Sequence, residues 1–208
     1  MTYKEKYPDI FNELSRMKTL DQIMIEHESD KASVFTRTWA KPHNYCVHLE
    51  RFFEPLRDKP IKLVEIGVGG GESIRAWLEY FSQAQVFGVD LVARTNEWND
   101  PDAKPDPRYT FVNGDQSNAV FWASFIKVRG GDWDVVIDDG SHKSSDIVTT
   151  HKCLWGHVKS GGFYEVEDLG AAVEAGDGFQ KLVKSIFKGD SECDFIYFAR
   201  ELAILRKK

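Results

Sequence analysis

The stretch EIGVGGG, residues 65–71, decides the fold of this 208-residue chain. It follows a short apolar run and precedes a helix-compatible segment that begins near Ser73, as expected of a turn between a strand and a helix. Glycines at such a turn let the backbone bend tightly and approach a ligand where a Cβ atom would collide. The dinucleotide fingerprint G-x-G-x-x-G would require glycine at position 72, where the chain has Glu72, so a nicotinamide-dependent dehydrogenase is disfavoured.

Short apolar runs and helix-compatible segments alternate around this turn. The predicted helices cover residues 73–81, 119–127 and 146–158, and the predicted strands cover residues 62–67, 85–90, 109–113, 133–138 and 162–166. Near-continuous apolar strands that alternate with helices are typical of a buried parallel sheet. The stretch 195–205 suits two short strands that turn near Arg200 and Glu201, or else one helix. We therefore expect an α/β, Rossmann-like fold with a mostly parallel seven-stranded sheet and helices on both faces.

Three further segments complete the organisation of the chain. Apolar residues recur at helical spacing over 10–25, and a second helix is expected over 45–53. We assign residues 1–55 to an N-terminal helical arm and lid, and residues 56–208 to one ligand-binding domain. Three prolines among acidic residues predict a mobile surface loop over 94–108, and a last helix is expected over 179–187.

Composition and charge limit the classes of function. The net charge of −6 disfavours a nucleic-acid partner, because binding to phosphates usually requires a basic face. The three cysteines lack a C-x-x-C spacing, which favours reduced thiols over a disulfide framework or a zinc site. No apolar run approaches the roughly 18 residues of a membrane span, and the first residues lack the apolar stretch of a signal peptide. We therefore expect a soluble, cytoplasmic protein.

The glycine turn and a nearby carboxylate suit a cofactor that carries a cation and a ribose. The pattern E-x-G-x-G-x-G resembles the first motif of the class I methyltransferases, whose cofactor, S-adenosylmethionine, has an amine and a sulfonium. Asp90 ends the second predicted strand, where a carboxylate can accept hydrogen bonds from both ribose hydroxyls. NAD enzymes use a carboxylate in the same way, so Asp90 alone does not choose between the cofactors. A tight turn that binds no ligand is the remaining alternative.

Five carboxylates fall just after predicted strands: Asp115, Asp138, Asp139, Glu167 and Asp168. The carboxyl ends of parallel strands share one edge of the sheet, where ligands bind. Because clustered carboxylates repel each other, we expect a cation to compensate them. Oxygen donors without paired cysteine or histidine favour Mg²⁺, Mn²⁺ or Ca²⁺ over zinc, and the candidate ligands are Asp139, Glu167 and Asp168. The alternative is that these carboxylates cap helices or bind loop amides.

His142 lies three residues after Asp139, inside this group of carboxylates. An alcohol does not lose its proton unaided at neutral pH, but a cation that binds its oxygen makes it more acidic. A histidine at this place can then accept the proton as a general base. We therefore predict His142 and Asp139 as catalytic residues, against the alternative that His142 is an ordinary polar loop residue.

Eight short motifs extend the likeness to known enzymes over residues 29–170. In chain order they are SDK (29–31), HxY (43–45), FEPLR (53–57), EIGVG (65–69), SIRxW (73–77), GDQS (114–117), IDDGSH (137–142) and GGxYxxEDL (161–169). Together they resemble the metal-dependent sugar O-methyltransferases of macrolides and related glycosylated natural products, of the mycinamicin and tylosin type. Any one motif would be weak evidence, whereas the ordered combination is specific.

This resemblance implies an S-adenosylmethionine-dependent O-methyltransferase with its methyltransferase domain over residues 56–208. Asp139, Glu167 and Asp168 would hold Mg²⁺, or Mn²⁺, which would chelate two neighbouring sugar hydroxyls beside His142 as the base. The acceptor would be a small molecule or a glycan, and relatives tend to form homo-oligomers. The residues assigned to the cofactor site are Glu65, Gly67, Gly69, Gly71, Ser73, Asp90, Asp115 (near the adenine), Gln116 and Asp138.

The chain departs from this family on the acceptor side. Asp146 stands where the family often has a second histidine, and GAAV (170–173) replaces the usual Thr-Ser-Tyr-Trp. The large auxiliary domain of some macrolide enzymes has no counterpart here, so we expect a smaller or more open acceptor, such as a sugar on a glycan or glycolipid. A catechol-type diol is the rival substrate, and a cofactor-binding protein without catalysis is the non-enzymatic alternative.

Overall fold

A computed structural model describes residue 6 and residues 18–35, 41–92, 106–170, 183–184 and 192–208. The chain divides into two compact units, and each is described by itself. Unit 1 takes its described residues from Met1–Pro60 and Gly71–Ala84, and unit 2 from Ile61–Gly70 and Gln85–Lys208. The division into an arm of residues 1–55 and a domain of residues 56–208 stays a prediction.

Unit 1 is helical in its described part. Its helices are α1 (Leu20–Glu26), α2 (Cys46–Phe53) and α3 (Glu72–Tyr80), and a 3₁₀ turn over Glu54–Leu56 follows α2. The hydroxyl of Thr19 accepts a hydrogen bond from the backbone of Gln22, whose side chain accepts one from the backbone of Thr19, so a capping box starts α1. The predicted helices over 45–53 and 73–81 are confirmed to within one residue. Of the helix predicted over 10–25, residues 10–17 lie outside the described part.

Backbone hydrogen bonds bring the first two sequence motifs together in unit 1. The His43 amide donates to the carbonyl of Asp30, and the Tyr45 amide donates to the carbonyl of Lys31, both at 2.8 Å. The ring centroids of His43 and Tyr45 lie 5.1 Å apart. The SDK and HxY motifs therefore form one structural feature, although ten or more residues of chain separate them.

Unit 2 is built on a seven-stranded sheet in the order β3-β2-β1-β4-β5-β7-β6. The strands are β1 (Lys62–Ile66), β2 (Gln85–Asp90), β3 (Tyr109–Asn113), β4 (Trp133–Asp138), β5 (Val158–Val166), β6 (Cys193–Ala199) and β7 (Leu202–Lys207). Strands β1 to β5 are parallel, and β7 is antiparallel to both of its neighbours. The predicted α/β fold with a mostly parallel, seven-stranded sheet is confirmed, as is the two-strand alternative for residues 195–205.

Two predicted boundaries near β5 were wrong. Helix α4 (Ala119–Arg129) agrees with its prediction, but α5 (Ser144–Leu154) ends four residues early and gives way to a 3₁₀ turn over Trp155–His157. Leu154 and Val158 keep helical spacing, which hid this end. Strand β5 starts four residues before the predicted start. The sequence pattern missed this start because Gly161, with a φ of 78°, interrupts the apolar run within the strand. The predicted loop over 94–108 and helix over 179–187 fall mostly outside the described residues.

The strand order indicates which edge of the sheet binds ligands. Strand β1 pairs with β2 on one side and with β4 on the other, so the strand order reverses there. In open α/β sheets ligands bind at the carboxyl ends of the strands beside such a switch point. Aromatic rings of Phe87, Phe125 and Trp133 fill the core behind it, with centroids 5.2–6.4 Å apart.

Among the described residues, no helix has the length and apolar character needed to cross a bilayer.

Candidate functional site

The glycine turn in unit 2, residues 67–70, lies directly against the loop after β4. Gly67 has a φ of 84°, and a Cβ on it would lie 2.0 Å from the carbonyl oxygen of Asp139. The amide of Asp139 in turn donates to the carbonyl of Ile66 at 2.9 Å. Gly69 has a φ of 53°, is exposed, and has open space where a Cβ would be. The first glycine therefore allows backbone packing, while Gly69 leaves the turn accessible to a ligand.

Asp90 holds the glycine turn from the neighbouring strand. Its Oδ2 accepts hydrogen bonds from the amides of Val68 at 2.9 Å and Gly69 at 3.2 Å, and its Oδ1 accepts one from Val92 at 3.2 Å. In the structure Asp90 therefore fixes the backbone of the glycine turn. Leu91 and Val92 beside it are exposed apolar side chains. The contact of Asp90 with a ribose stays a prediction.

Glu65 and Asp115, two other residues predicted to bind the cofactor, differ in their exposure to solvent. Glu65 is fully buried within β1, and burial, together with the charges of Glu65 and Asp90, raises the pKa of Tyr109. Asp115 is exposed, and its carboxylate accepts hydrogen bonds from the amide of Ser117 at 2.8 Å and from its hydroxyl at 2.7 Å. These bonds lower the pKa of Asp115. The structure therefore places Asp115 at the surface of the sheet edge and Glu65 inside it.

Gly71 and Ser73 belong to unit 1. Gly71 has a φ of 81° and caps the N-terminus of α3, and Ser73 is buried in the first turn of that helix. Their part in cofactor binding stays a prediction.

Three side chains at the carboxyl edge of the sheet lie close enough to share one ion. Asp139, His142 and Asp168 each offer one ligand atom, and these atoms all lie within 4.8 Å of one another. The Nε2 of His142 is 3.6 Å from the Oδ2 of Asp168, just beyond hydrogen-bond distance. The side chains of these two residues are 29% and 25% exposed, so the group is open to solvent. The two carboxylates are the kind of oxygen ligand that suits a hard divalent cation such as Mg²⁺ or Mn²⁺.

The backbone of this group is strained at two of its three members. His142 and Asp168 have φ values of 56° and 53°, in the left-handed region. A non-glycine residue in this conformation costs roughly 1–2 kcal/mol of stability. Strain of this kind is found where a site needs a side chain in a particular direction. The Nδ1 of His142 is buried and has no hydrogen-bond partner among the described residues, whereas its Nε2 is the nitrogen near the carboxylate of Asp168.

Glu167, the third predicted metal ligand, is not part of this group. It is buried beside the group, and its amide donates to the carbonyl of Asp138 at 3.0 Å. The structure brings Asp139 and Asp168 together with His142, which was expected as the base. The role of Glu167 as a ligand stays a prediction.

A buried hydrogen-bond network lies behind the metal group, and it places two predicted cofactor residues in the interior. Asp138 is 1% exposed; its Oδ1 accepts from the amide of Gln116 and its Oδ2 from the hydroxyl of Tyr164, both at 3.0 Å. Burial raises the pKa of Asp138 to about 6, although both hydrogen bonds act to lower it. Sequence reasoning missed this network, for which Tyr164 in the last motif is the signal.

Similarity to known proteins indicates the family to which the chain belongs. A family model described as a methyltransferase domain matches residues 64–169, slightly more than half of the chain. The chain is 33% identical over 153 residues to the mycinamicin VI 2''-O-methyltransferase of Micromonospora griseorubida, which is 70% of this chain and 36% of that protein. It is 36% identical over 154 residues to the 8-demethyl-8-alpha-L-rhamnosyl tetracenomycin-C 2'-O-methyltransferase of Streptomyces olivaceus, which is 71% of this chain and 36% of that protein. The chain thus spans about a third of the length of these curated relatives.

A solved structure gives the same result for the fold. The MycE methyltransferase from the mycinamycin biosynthetic pathway, in complex with Mg and SAH, matches with a TM-score of 0.76 and 26% identity, over 93% of this chain and 55% of that one. The range matched by the family model contains the glycine turn and the group of Asp139, His142 and Asp168. The chain therefore belongs to the methyltransferase-domain family.

Proposed function

We propose that this protein transfers a methyl group from S-adenosylmethionine to a hydroxyl oxygen of a sugar or another vicinal diol, with the help of Mg²⁺ or Mn²⁺. The observation that carries the proposal is the group of Asp139, His142 and Asp168, gathered within 4.8 Å beside the glycine turn. The names of the relatives support it, because two of them are O-methyltransferases of glycosylated natural products and MycE binds Mg and SAH.

The carboxylates of the group would hold the ion. Bound Mg²⁺ would supply Lewis-acid catalysis, by making a hydroxyl of the acceptor more acidic and by orienting it. Asp139 and Asp168 are the ligands that the observed geometry supports, and Glu167 is proposed as a further ligand from the adjacent buried position. Their negative charges, which repel each other in the free protein, favour binding of a dication.

His142 would remove the proton of the acceptor hydroxyl through Nε2, the nitrogen on the side of the group. Its conjugate acid would lie 3.6 Å from the carboxylate of Asp168 and would be stabilised by it. His142 itself would therefore be a base, not a metal ligand, because one lone pair cannot serve both tasks.

The glycine turn and Asp90 would position the cofactor. The sulfonium of S-adenosylmethionine supplies an electrophilic methyl group. Gly69 leaves the turn open on its exposed side, and the half-exposed Asp90 lies beside it for the ribose hydroxyls. Leu91 and Val92 offer an exposed apolar surface next to Asp90 for a flat base. Asp115, exposed at the end of the next strand, completes this side of the proposed cofactor site.

A sugar suits the acceptor side better than a catechol does. The turn between β6 and β7 reaches the same edge, since the amide of Leu169 donates to the carbonyl of Glu201 at 2.9 Å. A Cβ on Gly170 would lie 2.7 Å from Oε1 of Glu201, so the carboxylate of Glu201 lies over the segment that follows Asp168. This exposed carboxylate can accept a hydrogen bond from a further hydroxyl, which a sugar has and a simple catechol lacks.

A methyl-transfer assay tests the proposal. The protein is incubated with S-adenosylmethionine and a panel of monosaccharides, glycosides and catechols, with Mg²⁺ or with a chelator, and the methylated products are identified by mass spectrometry. We expect methylation of a glycoside that requires Mg²⁺ and is lost in Asp139→Asn. Methylation of catechols alone would move the acceptor to that class. Full transfer in the presence of the chelator would reject the metal role.

A further inference from the structure

The side chain of Gln116 comes from the loop after β3 but contacts the loop after β4. It is 7% exposed, and its Nε2 donates to Oδ1 of Asp138 at 3.0 Å and to Oγ1 of Thr150 in α5 at 3.2 Å. Its Oε1 accepts a hydrogen bond from the amide of Ser141 at 2.5 Å. Both amide N–H groups and the amide oxygen are therefore used in the interior.

The contacts of Gln116 flank the residues of the metal group. Asp138 directly precedes Asp139, and Ser141 directly precedes His142. Gly140 lies between them, so close to the amide that a Cβ on it would lie 1.9 Å from Oε1 of Gln116. Gln116 thus touches positions 138, 140 and 141, while 139 and 142 carry the side chains that face the group.

The main chain of Gln116 is fixed independently of its side chain. Its carbonyl accepts a hydrogen bond from Nε1 of Trp122 at 2.9 Å, and Asp115 is tied to Ser117 at the surface. A substitution of the Gln116 side chain therefore leaves the anchors of the loop after β3 in place. The loop after β4 keeps the bond from the Asp139 amide to Ile66 and that from the Ser141 hydroxyl to Asp146. It nevertheless depends on Gln116, because Ser141 loses the partner of its amide and Asp138 loses one of its two side-chain donors.

We propose that Gln116 is a positioning residue for the metal group, whose side-chain amide fixes the backbone that presents Asp139 and His142. This inference rests on the proposed function, since it presupposes that the group binds an ion. It replaces the role that the family resemblance implies for Gln116, a lining residue of the cofactor site. A partner of this kind, which orients ligands without touching the metal, typically contributes about 10- to 100-fold to metal affinity.

The test compares metal binding with cofactor binding in Gln116→Met, which keeps the length of the side chain and removes its hydrogen bonds. The dissociation constant of Mn²⁺ is measured by electron paramagnetic resonance, and that of S-adenosylhomocysteine by calorimetry in the presence of a chelator. We expect the affinity for Mn²⁺ to fall by about tenfold or more, and the affinity for S-adenosylhomocysteine to stay within about twofold. Val128→Ala, at an exposed position in α4 away from these hydrogen bonds, is the control and should keep both affinities.

A second variant guards against loss of folding. Gln116→Asn retains a neutral side-chain amide but is one methylene shorter, so it cannot reach Asp138, Thr150 and Ser141 together, and its affinity for Mn²⁺ should fall as well. Loss of cofactor affinity with unchanged Mn²⁺ binding in either variant would return Gln116 to the cofactor site and overturn the inference. Unchanged Mn²⁺ affinity in both variants would also overturn it. If the unaltered protein binds no Mn²⁺, the proposed metal site is wrong, whatever the variants show.

Discussion

At the scale of single residues, His142 could serve the metal group in two ways that exclude each other. One of its ring nitrogens lies within the 4.8 Å cluster, and its Nε2 is 3.6 Å from Asp168, so His142 could bind the ion or accept a proton. The proposed function requires that His142 accept a proton. The two tasks are separable by experiment, because a metal ligand contributes to affinity and a base contributes to the rate.

Replacement of His142 by alanine should separate them. In His142→Ala we expect turnover to fall by roughly 10²- to 10⁴-fold, the contribution typical of a general base, with little change in the affinities for Mg²⁺ and S-adenosylmethionine. Steady-state kinetics and calorimetry provide these values. A parallel loss of Mg²⁺ affinity would show that His142 is a ligand, and an unchanged rate would remove it from the reaction.

A second residue-scale prediction concerns His151, which is buried with its ring stacked on Trp155 at 5.2 Å and edge-on to Tyr164 at 5.0 Å. Burial lowers the pKa of His151 to about 4, and the charge of Lys207 adds to the effect. The unfolded chain binds this proton below pH 6.5 and the folded protein does not, so the free energy of unfolding should decrease as pH falls from 6.5 to 4. The full loss from this site is of the order of 3 kcal/mol.

The variant His151→Phe keeps the aromatic stack and removes the titration. Asp138 acts in the opposite direction, because its pKa is raised to about 6 and its contribution to stability increases as pH falls through that value. The comparison of variant with unaltered protein cancels this term. Urea unfolding between pH 4 and 7.5 should show the variant gaining relative stability towards acid, and parallel profiles would contradict the assignment.

At the scale of elements, the contact between the glycine turn and the loop after β4 can be tested by a pair of substitutions. A methyl group on Gly67 would meet the carbonyl of Asp139 at 2.0 Å, whereas one on Gly69 would meet nothing within 4 Å, although both residues have positive φ. Gly69→Ala should therefore cost about 1 kcal/mol from backbone strain alone. Gly67→Ala should cost roughly 1–3 kcal/mol more from the collision, as measured by urea unfolding. Equal costs would mean that the two loops do not pack as described.

Much of the fold could be predicted from the sequence because β1 to β4 are short, mainly apolar runs that alternate with helix-compatible segments. The start of β5 could not, since Gly161 and Gly162 dilute its apolar pattern, and Gly162 is there because a Cβ would come within 3.0 Å of two backbone oxygens. The exact end of α5 was hidden for a different reason. Its apolar spacing continues into residues that fold as a 3₁₀ turn and as the first residue of β5.

The candidate site could be predicted as a set of strand ends but not in its details. Parallel strands bring their carboxyl ends to one edge, so the proximity of Asp139 and Asp168 follows from the topology. Which carboxylates turn inward depends on the alternation of side chains and on local φ values. Asp138 is buried and Asp139 faces the group, whereas the left-handed conformation of His142 and of Asp168 has no sequence signal that we could use.

At the scale of the whole molecule, a site of clustered carboxylates should couple metal binding to stability. An ion that binds only the folded protein at 100 times its dissociation constant stabilises it by about 2.7 kcal/mol. Thermal unfolding should therefore shift upward with Mg²⁺ in the unaltered protein and not in Asp139→Asn. A Mg²⁺ shift that persists in the variant would place the ion elsewhere.

The position of the ion itself tests the proposed metal site most directly. Crystals grown with saturating Mn²⁺ and S-adenosylhomocysteine would be measured at the manganese absorption edge. We expect an anomalous peak between Asp139 and Asp168, with Nε2 of His142 nearby but not coordinated. A well-ordered site with no anomalous peak, or with Asp139 and Asp168 turned away from each other, would contradict it.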